Sequence, residues 1–329
     1  MLKLIRPPLR PMLGALLLTL PGLVPAATPL NYPTKPIRLV VSFAPGGGTD
    51  IFARAMGLKY TEAWGEPVIV DNRAGGNGNI GTDMVAKAPG DGYTLLLTTN
   101  ATIVINPNLA KLPYDPVKDF APISQLAALP FVLSVHPSSP AKTTAELIAL
   151  AKAKPGQLNY ASSGAGGGAH LAGEMLKTMA KIDMTHVPYK GGSPALLALA
   201  GAQVDLLFLS ILTSTPLIQS KKVRALAVTG PKRSPALPDV PAVAETPGLA
   251  GFESDLWYGM LAPAKTAPGV VDKIYQETRR MLTSPEFRNR FEPTGTALVA
   301  SSPQGFAATI KTDLAKWATV IKSSSAKMD

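Results

Sequence analysis

The sequence contains no cysteine. That excludes disulfides, thiolate metal sites and cysteine nucleophiles. It holds three histidines, His136, His170 and His186, and no two stand four residues apart. His170 with Glu174 alone is too little for a metal site, so none is expected. Aromatics make up only 6% of the chain, and its basic residues are scattered rather than interleaved with them. That pattern argues against nucleic acid as a partner. Acidic residues are outnumbered by basic ones, 22 to 32, which leaves a net charge of +10. Such a surplus attracts anionic solutes or merely aids solubility. Long apolar runs are scarce, and the one at Pro11–Val24 is too short and too proline-broken to span a membrane.

That run has Lys3, Arg6 and Arg10 before it and Ala26 and Ala27 after it. The pattern predicts a signal peptide over residues 1–27, cut after Ala26 or Ala27, and export to the periplasm. Loss of the three basic residues takes the charge from +10 to +7. An exported chain without disulfides must be held by its core. A length of 329 residues, 46% of them hydrophobic, supplies one and points to about two domains.

Strand-like and helix-like segments alternate, which predicts an α/β fold. Expected strands are Ile37–Phe43, Pro67–Val70, Tyr93–Thr98, Phe131–Val135, Leu158–Ala161, Gln203–Leu209, Val223–Val228 and Trp257–Leu261. Expected helices are Ile51–Ala63, Thr82–Ala88, Thr143–Lys154, Ala169–Lys181, Pro268–Thr283 and Ser302–Ser323. Thr143 and Glu146 have the spacing of a capping box. Turns dominate Leu112–Pro122, and Pro231–Pro247 reads as a long surface connection.

One grammar occurs twice. Ile37–Phe43 runs into Ala44–Asp50 (APGGGTD) and then a helix. Leu158–Ala161 runs into Ser162–Gly168 (SSGAGGG) and then another helix. A helix N-terminus has unpaired amides and about half a positive charge, and glycines let a ligand reach them. Ligands of open α/β sheets bind at the carboxyl ends of strands. Two such loops predict a cleft that clamps a carboxylate or dicarboxylate through backbone amides.

Other signals are weaker. Gly76–Gly81 (GNGNIG) matches the dinucleotide pattern, but Thr98, Thr99 and Asn100 stand where its acidic residue belongs. No cofactor is expected. Ser162 and Ser163 do not sit in a nucleophile elbow, because Tyr160 and Ala161 stand two residues before them where its first glycine belongs, and hydroxyls beside a glycine loop more simply donate to a carboxylate. Asp50 complements the first helix dipole or accepts from a ligand amino group. His170 stands in the first turn of the second helix and either donates to an anion or simply packs there. Lys190 lies in the turn VPYKGG. Phe43, Phe208 and Trp257 are candidates to pack against an apolar ligand body, with core packing favoured for Trp257.

Taken in order, several segments resemble one family. They are YPTKPI (32–37), FAPGGGTD (43–50), DNRAGGNGNIG (71–81), DGYTLL (91–96), NYASSG (159–164), HLAGE (170–174), HVPYKG (186–191), RALAVT (224–229), LPDVP (237–241) and WYGMLAPA (257–264). The chain resembles the solute-binding proteins of tripartite tricarboxylate transporters, the Bug family. The resemblance implies a two-lobed periplasmic-binding-protein fold, type II-like, that closes on a small organic acid. Lobe 1 would comprise residues 28–124 and 255–329, and lobe 2 residues 125–254.

It further implies ligand contacts at Phe43, Gly46, Gly47, Gly48, Thr49, Asp50, Thr98 and Thr99 in the first lobe. In the second it implies Ser162, Ser163, Gly164, His170, Lys190 and Asp205. The expected partners are a small organic acid and the membrane subunits of a transporter, with the receptor itself a monomer and not an enzyme. A secreted hydrolase using Ser162 or Ser163 with His170, or a sensor presenting its closed form to a receptor, are the alternatives. Two departures stand out. Ala198-Leu199 replaces the family's Asp-Leu, and Gly166–Gly168 replaces hydroxyl residues in the second loop.

Overall fold

Ile37–Val41 is almost wholly buried, as its unbroken apolar run requires of a strand covered on both faces. It forms β1 of the chain, and the computed structural model describes residues 2–3 and 31–322. Except for residues 2 and 3, the expected signal peptide lies outside the described residues, as does Ser323 of the expected last helix. The other strands are β2 (Val68–Asn72), β3 (Thr94–Thr99), β4 (Phe120–Val135), β5 (Asn159–Ser162), β6 (Thr185–Pro188), β7 (Leu206–Ser210), β8 (Arg224–Val228), β9 (Asp255–Pro263) and β10 (Ala297–Leu298). The helices are α1 (Gly48–Trp64), α2 (Asn79–Ala86), α3 (Asn106–Leu109), α4 (Thr144–Ala153), α5 (Gly168–Ala180), α6 (Gly192–Ala200), α7 (Ile211–Gln219), α8 (Pro268–Leu282), α9 (Pro285–Phe291) and α10 (Pro303–Lys322).

The strands form one mixed sheet in the order β2-β1-β3-β9-β4-β7-β5-β6, with β8 and β10 also paired to β4. The long strand β4 joins its two halves. Its residues Phe120–Pro130 pair with β9, and from Phe131 onward its partners are β7 and β8. At the changeover, the buried Thr229 hydroxyl accepts from the Phe131 amide (2.8 Å) and donates to the Ser254 carbonyl (2.6 Å). One apolar core of buried residues runs through both halves, and the described residues from Tyr32 onward form one compact unit.

Several expected boundaries move. The strand expected at Phe131–Val135 is the last third of β4. Pro122 and Pro130 hid the rest, because proline removes a ladder donor. The bulge between Pro122 and Ser124 accommodates the first of them. Helix α1 begins inside the glycine run at Gly48, not at Ile51. Helix α6 is the one that the family resemblance places after YKG, whereas strands β6 and β10 and helices α3, α7 and α9 were not expected. They are short, and α7 carries Pro216 within it. Thr143 caps α4 as its spacing predicts, accepting from the Glu146 amide at 3.1 Å. Glu146 reaches back to the Lys142 amide rather than to that of Thr143.

Phe52 locks α1 in place. It is fully buried and packs against Tyr258 on β9 and against Phe287 and Phe291 of α9. Burial of such a ring contributes roughly 1.5–3 kcal/mol. The fixed helix then presents its first turn to the space between the sheet halves.

Candidate functional site

Four helix N-termini meet in one cleft. Gly47, Gly48 and Thr49 begin α1, and Gly167, Gly168 and Ala169 begin α5. Gly192 begins α6, and Ser210 and Thr213 mark the start of α7. No N-cap side chain bonds the first amides of any of the four. By contrast α4 and α9, away from the cleft, are capped by Thr143 and Ser284. The first-turn amides facing the cleft therefore keep their donors for something else.

The inner cavity offers about 50 Å³ of space open to a water molecule. Its polar wall is made of hydroxyls from Thr49, Thr99, Ser163, Ser210, Thr213 and Tyr258, and its apolar wall includes Phe43, Ala101, Phe131, Leu209 and Leu256. No charged side chain lines it. Ser210 and Thr213 are hydrogen-bonded at 2.8 Å. Burial pushes the Tyr258 hydroxyl well above its ordinary pKa, so it stays a neutral donor. A Cβ on Gly48 would collide with that hydroxyl and stand 2.9 Å from both Ser210 Oγ and Thr213 Oγ1. Gly48 is there for space, since its own φ lies outside the left-handed region.

An outer cavity of about 220 Å³ shares Phe43 and Ser163 with the inner one. It is lined by Gly75–Gly78, Gly164, Ala165 and Pro188–Lys190.

The structure thus gathers Phe43, Gly47, Gly48, Thr49, Thr99 and Ser163 at the inner cavity, and Gly164 and Lys190 at the outer one. Other expected residues stand behind these walls. Gly46 is exposed, and its amide donates to Asp50 Oδ2 at 2.9 Å. Asp50, 3% exposed, also accepts from Arg54, so that oxygen braces the loop. Thr98 is buried between the Ser42 and Thr102 hydroxyls. Asp205 is exposed and accepts from the Asn159 amide at the start of β5. Phe208 lies in the core, and Trp257 packs on Phe306 while donating to Asp313 at 2.8 Å.

Ser162 and His170 belong to a buried polar cluster beneath the second glycine loop. Ser162 Oγ is 2.7 Å from His186 Nε2, and His186 stacks on His170 with ring centres 3.9 Å apart. His170 Nδ1 accepts from the Gly166 amide at 2.9 Å. Glu174 Oε1 accepts from Tyr160 at 2.6 Å and from Lys177 at 3.0 Å. Burial pushes the His186 pKa down to about 3, with the nearby His170 adding to the effect. The histidines hold the loop's shape from behind.

Sequence reasoning missed Ala101, Phe131, Ala169, Gly192, Leu209, Ser210, Thr213, Leu256 and Tyr258 as lining residues. Ser210 just after a strand and before an apolar helix was a legible signal. Tyr258 and Leu256, inside a strand, gave none. Among the described residues no cluster of potential metal ligands occurs, and no helix is long and apolar enough to cross a membrane.

The model of the tripartite tricarboxylate transporter family receptor matches residues 52–325. The chain belongs to that receptor family. The periplasmic binding protein BugD is 36% identical with a TM-score of 0.86, over 91% of this receptor and all of that chain. A Rhodopseudomonas palustris protein solved with adipate is also 36% identical (TM-score 0.86), over 89% of this receptor and 98% of that chain. MatC from the same organism, solved with bound malate, is 31% identical (TM-score 0.83), over 88% and 100%. The receptor therefore has the α/β fold of periplasmic binding proteins. Its Ala198 is buried in the packing of α6 and does not line the cleft. Its Gly167 and Gly168 do line the cleft, where their missing side chains leave the α5 amides uncovered.

Proposed function

We propose that this receptor is a periplasmic, non-catalytic solute-binding protein that captures an organic acid and delivers it to the membrane subunits of a transporter. The observation that carries this reading is the convergence of four uncapped helix N-termini on an inner cavity without charged side chains. Such a site neutralises a carboxylate with amides and hydroxyls, through charge-assisted hydrogen bonds. The adipate and malate of the related structures are acids of this class. A cationic group would find no carboxylate on the wall to pair with, so the preferred ligand is an acid without an amino group. Phe43, Phe131, Leu209 and Leu256 offer its carbon skeleton an apolar bed.

The two sheet halves act as lobes, residues 28–124 with 255–329 against residues 125–254. The change of partners along β4 between Pro130 and Phe131 supports this division. The receptor works as a monomer. A hydrolytic role is disfavoured because Ser162, the hydroxyl paired with a histidine, is fully buried away from the cleft.

A thermal-shift panel of organic acids with their amino counterparts tests the proposal. Ligand at about 100 times its dissociation constant adds about 2.7 kcal/mol to stability. Shifts from acids such as succinate or adipate, and smaller ones from aspartate or glutamate, are expected. A panel without any shift refutes carboxylate capture.

A further inference from the structure

The second residue of the Gly76–Gly81 motif, Asn77, reaches across the cleft. Asn77 sits between β2 and α2 in one half, yet its side chain lies against the glycine loop between β5 and α5 in the other. A Cβ on Gly164 would stand 2.8 Å from Asn77 Oδ1, and one on Gly167 would stand 2.9 Å from it. Two of the glycines in that loop are therefore the seat of this one side chain. Asn77 is 8% exposed and holds a left-handed backbone (φ 49°, ψ 40°). Asparagine tolerates that conformation better than most residues.

The orientation of its amide is fixed from behind. Asn106 Nδ2 donates to the Asn77 carbonyl (3.3 Å) and to Asn79 Oδ1 (2.7 Å), which turns Asn106 Oδ1 toward Asn77 Nδ2 at 2.8 Å. Asn77 Oδ1 must then face the opposite loop, where it is buried without a hydrogen-bond partner. Both loops line the outer cavity, which shares Phe43 and Ser163 with the inner one.

We propose that Asn77 is a positioning residue for ligand capture: seated between Gly164 and Gly167, it holds the two halves together over the cleft. This rests on the two-lobe reading above, but not on the ligand being a carboxylate. It assigns the GNG turn and the SSGAGGG loop matched parts of one contact.

The absence of cysteine permits a clean test. Cysteines introduced at the exposed Lys152 of α4 and Arg279 of α8 would carry spin labels, one in each half. Distances are measured by pulsed electron resonance without ligand and with millimolar adipate or malate. In the otherwise unchanged protein the label separation of this compact structure is expected in at least one condition. Asn77→Gly keeps the left-handed backbone and removes the side chain. It should lower the ratio of compact to extended populations roughly tenfold, the size of one lost contact pair. Gly167→Ala, whose backbone is unstrained, should do the same by blocking the seat. Adding Gly167→Ala to Asn77→Gly should then change nothing further. Additive effects, an unchanged distribution in Asn77→Gly, or no compact distance in any condition would each overturn the proposal. Failure of acids to bind, with the distance effects intact, would refute only the carboxylate reading.

Discussion

Tyr258 on β9 sets its hydroxyl directly over the backbone of Gly48, the first residue of α1. The strand thereby fixes how far the helix N-terminus projects into the cleft, and the two together form one wall of the inner cavity. A side chain at residue 48 has nowhere to go, because Ser210 and Thr213 close the remaining space.

Gly48→Ala should therefore cost about 1–3 kcal/mol of stability through overpacking and should abolish acid binding. Tyr258→Phe in the same chain removes the nearest atom and should recover part of that stability. Thermal unfolding of the two single variants and the double variant decides it. Additive losses would count against the contact.

Ser163 is shared by both cavities and is only half-buried. Ser163→Ala should weaken acid binding by roughly 1–3 kcal/mol if its hydroxyl meets a buried charge. Calorimetry on the best acid of the panel gives the number, and an unchanged affinity removes Ser163 from the site. Ser162→Ala should instead lower stability by about 1 kcal/mol, since it strips His186 and the Gly164 amide of a partner.

The His186 pKa, near 3 when folded, lies below the ordinary value of 6.5. The unfolded chain therefore takes up a proton that the folded protein refuses as the pH falls between these values. Stability from this group is complete above about 6.5 and is lost progressively toward pH 3. A melting series from pH 7 to pH 4 should show that decline, and His186→Gln should flatten it. A variant with the parent's slope would mean that other groups carry the effect.

Thr229→Val removes the hydroxyl that ties Phe131 to Ser254 where β4 changes partners. The shape is kept, but a buried amide and a buried carbonyl lose a partner, so a loss of about 1–3 kcal/mol is expected. Denaturant unfolding measures it. A neutral result would show that the two backbone groups find other partners.

The local grammar of the chain lay open in its residues. Ile37–Val41 and Leu95–Leu97 are apolar enough that only buried strands suit them, and the glycine runs at 46–48 and 166–168 announce helix starts that bare their amides. Thr143 announced the cap of α4 for the same local reason. Tertiary structure alone decided which of these pieces meet. Thr99, Ser163 and Tyr258 share a wall because strands far apart in sequence become neighbours in the sheet, whereas Asp205 and His170, equally polar on paper, end behind it. Spacing along the chain encodes a side chain's periodicity within its own element. It does not encode which distant backbone comes near enough to make a glycine at 48, 164 or 167 a necessity rather than a convenience.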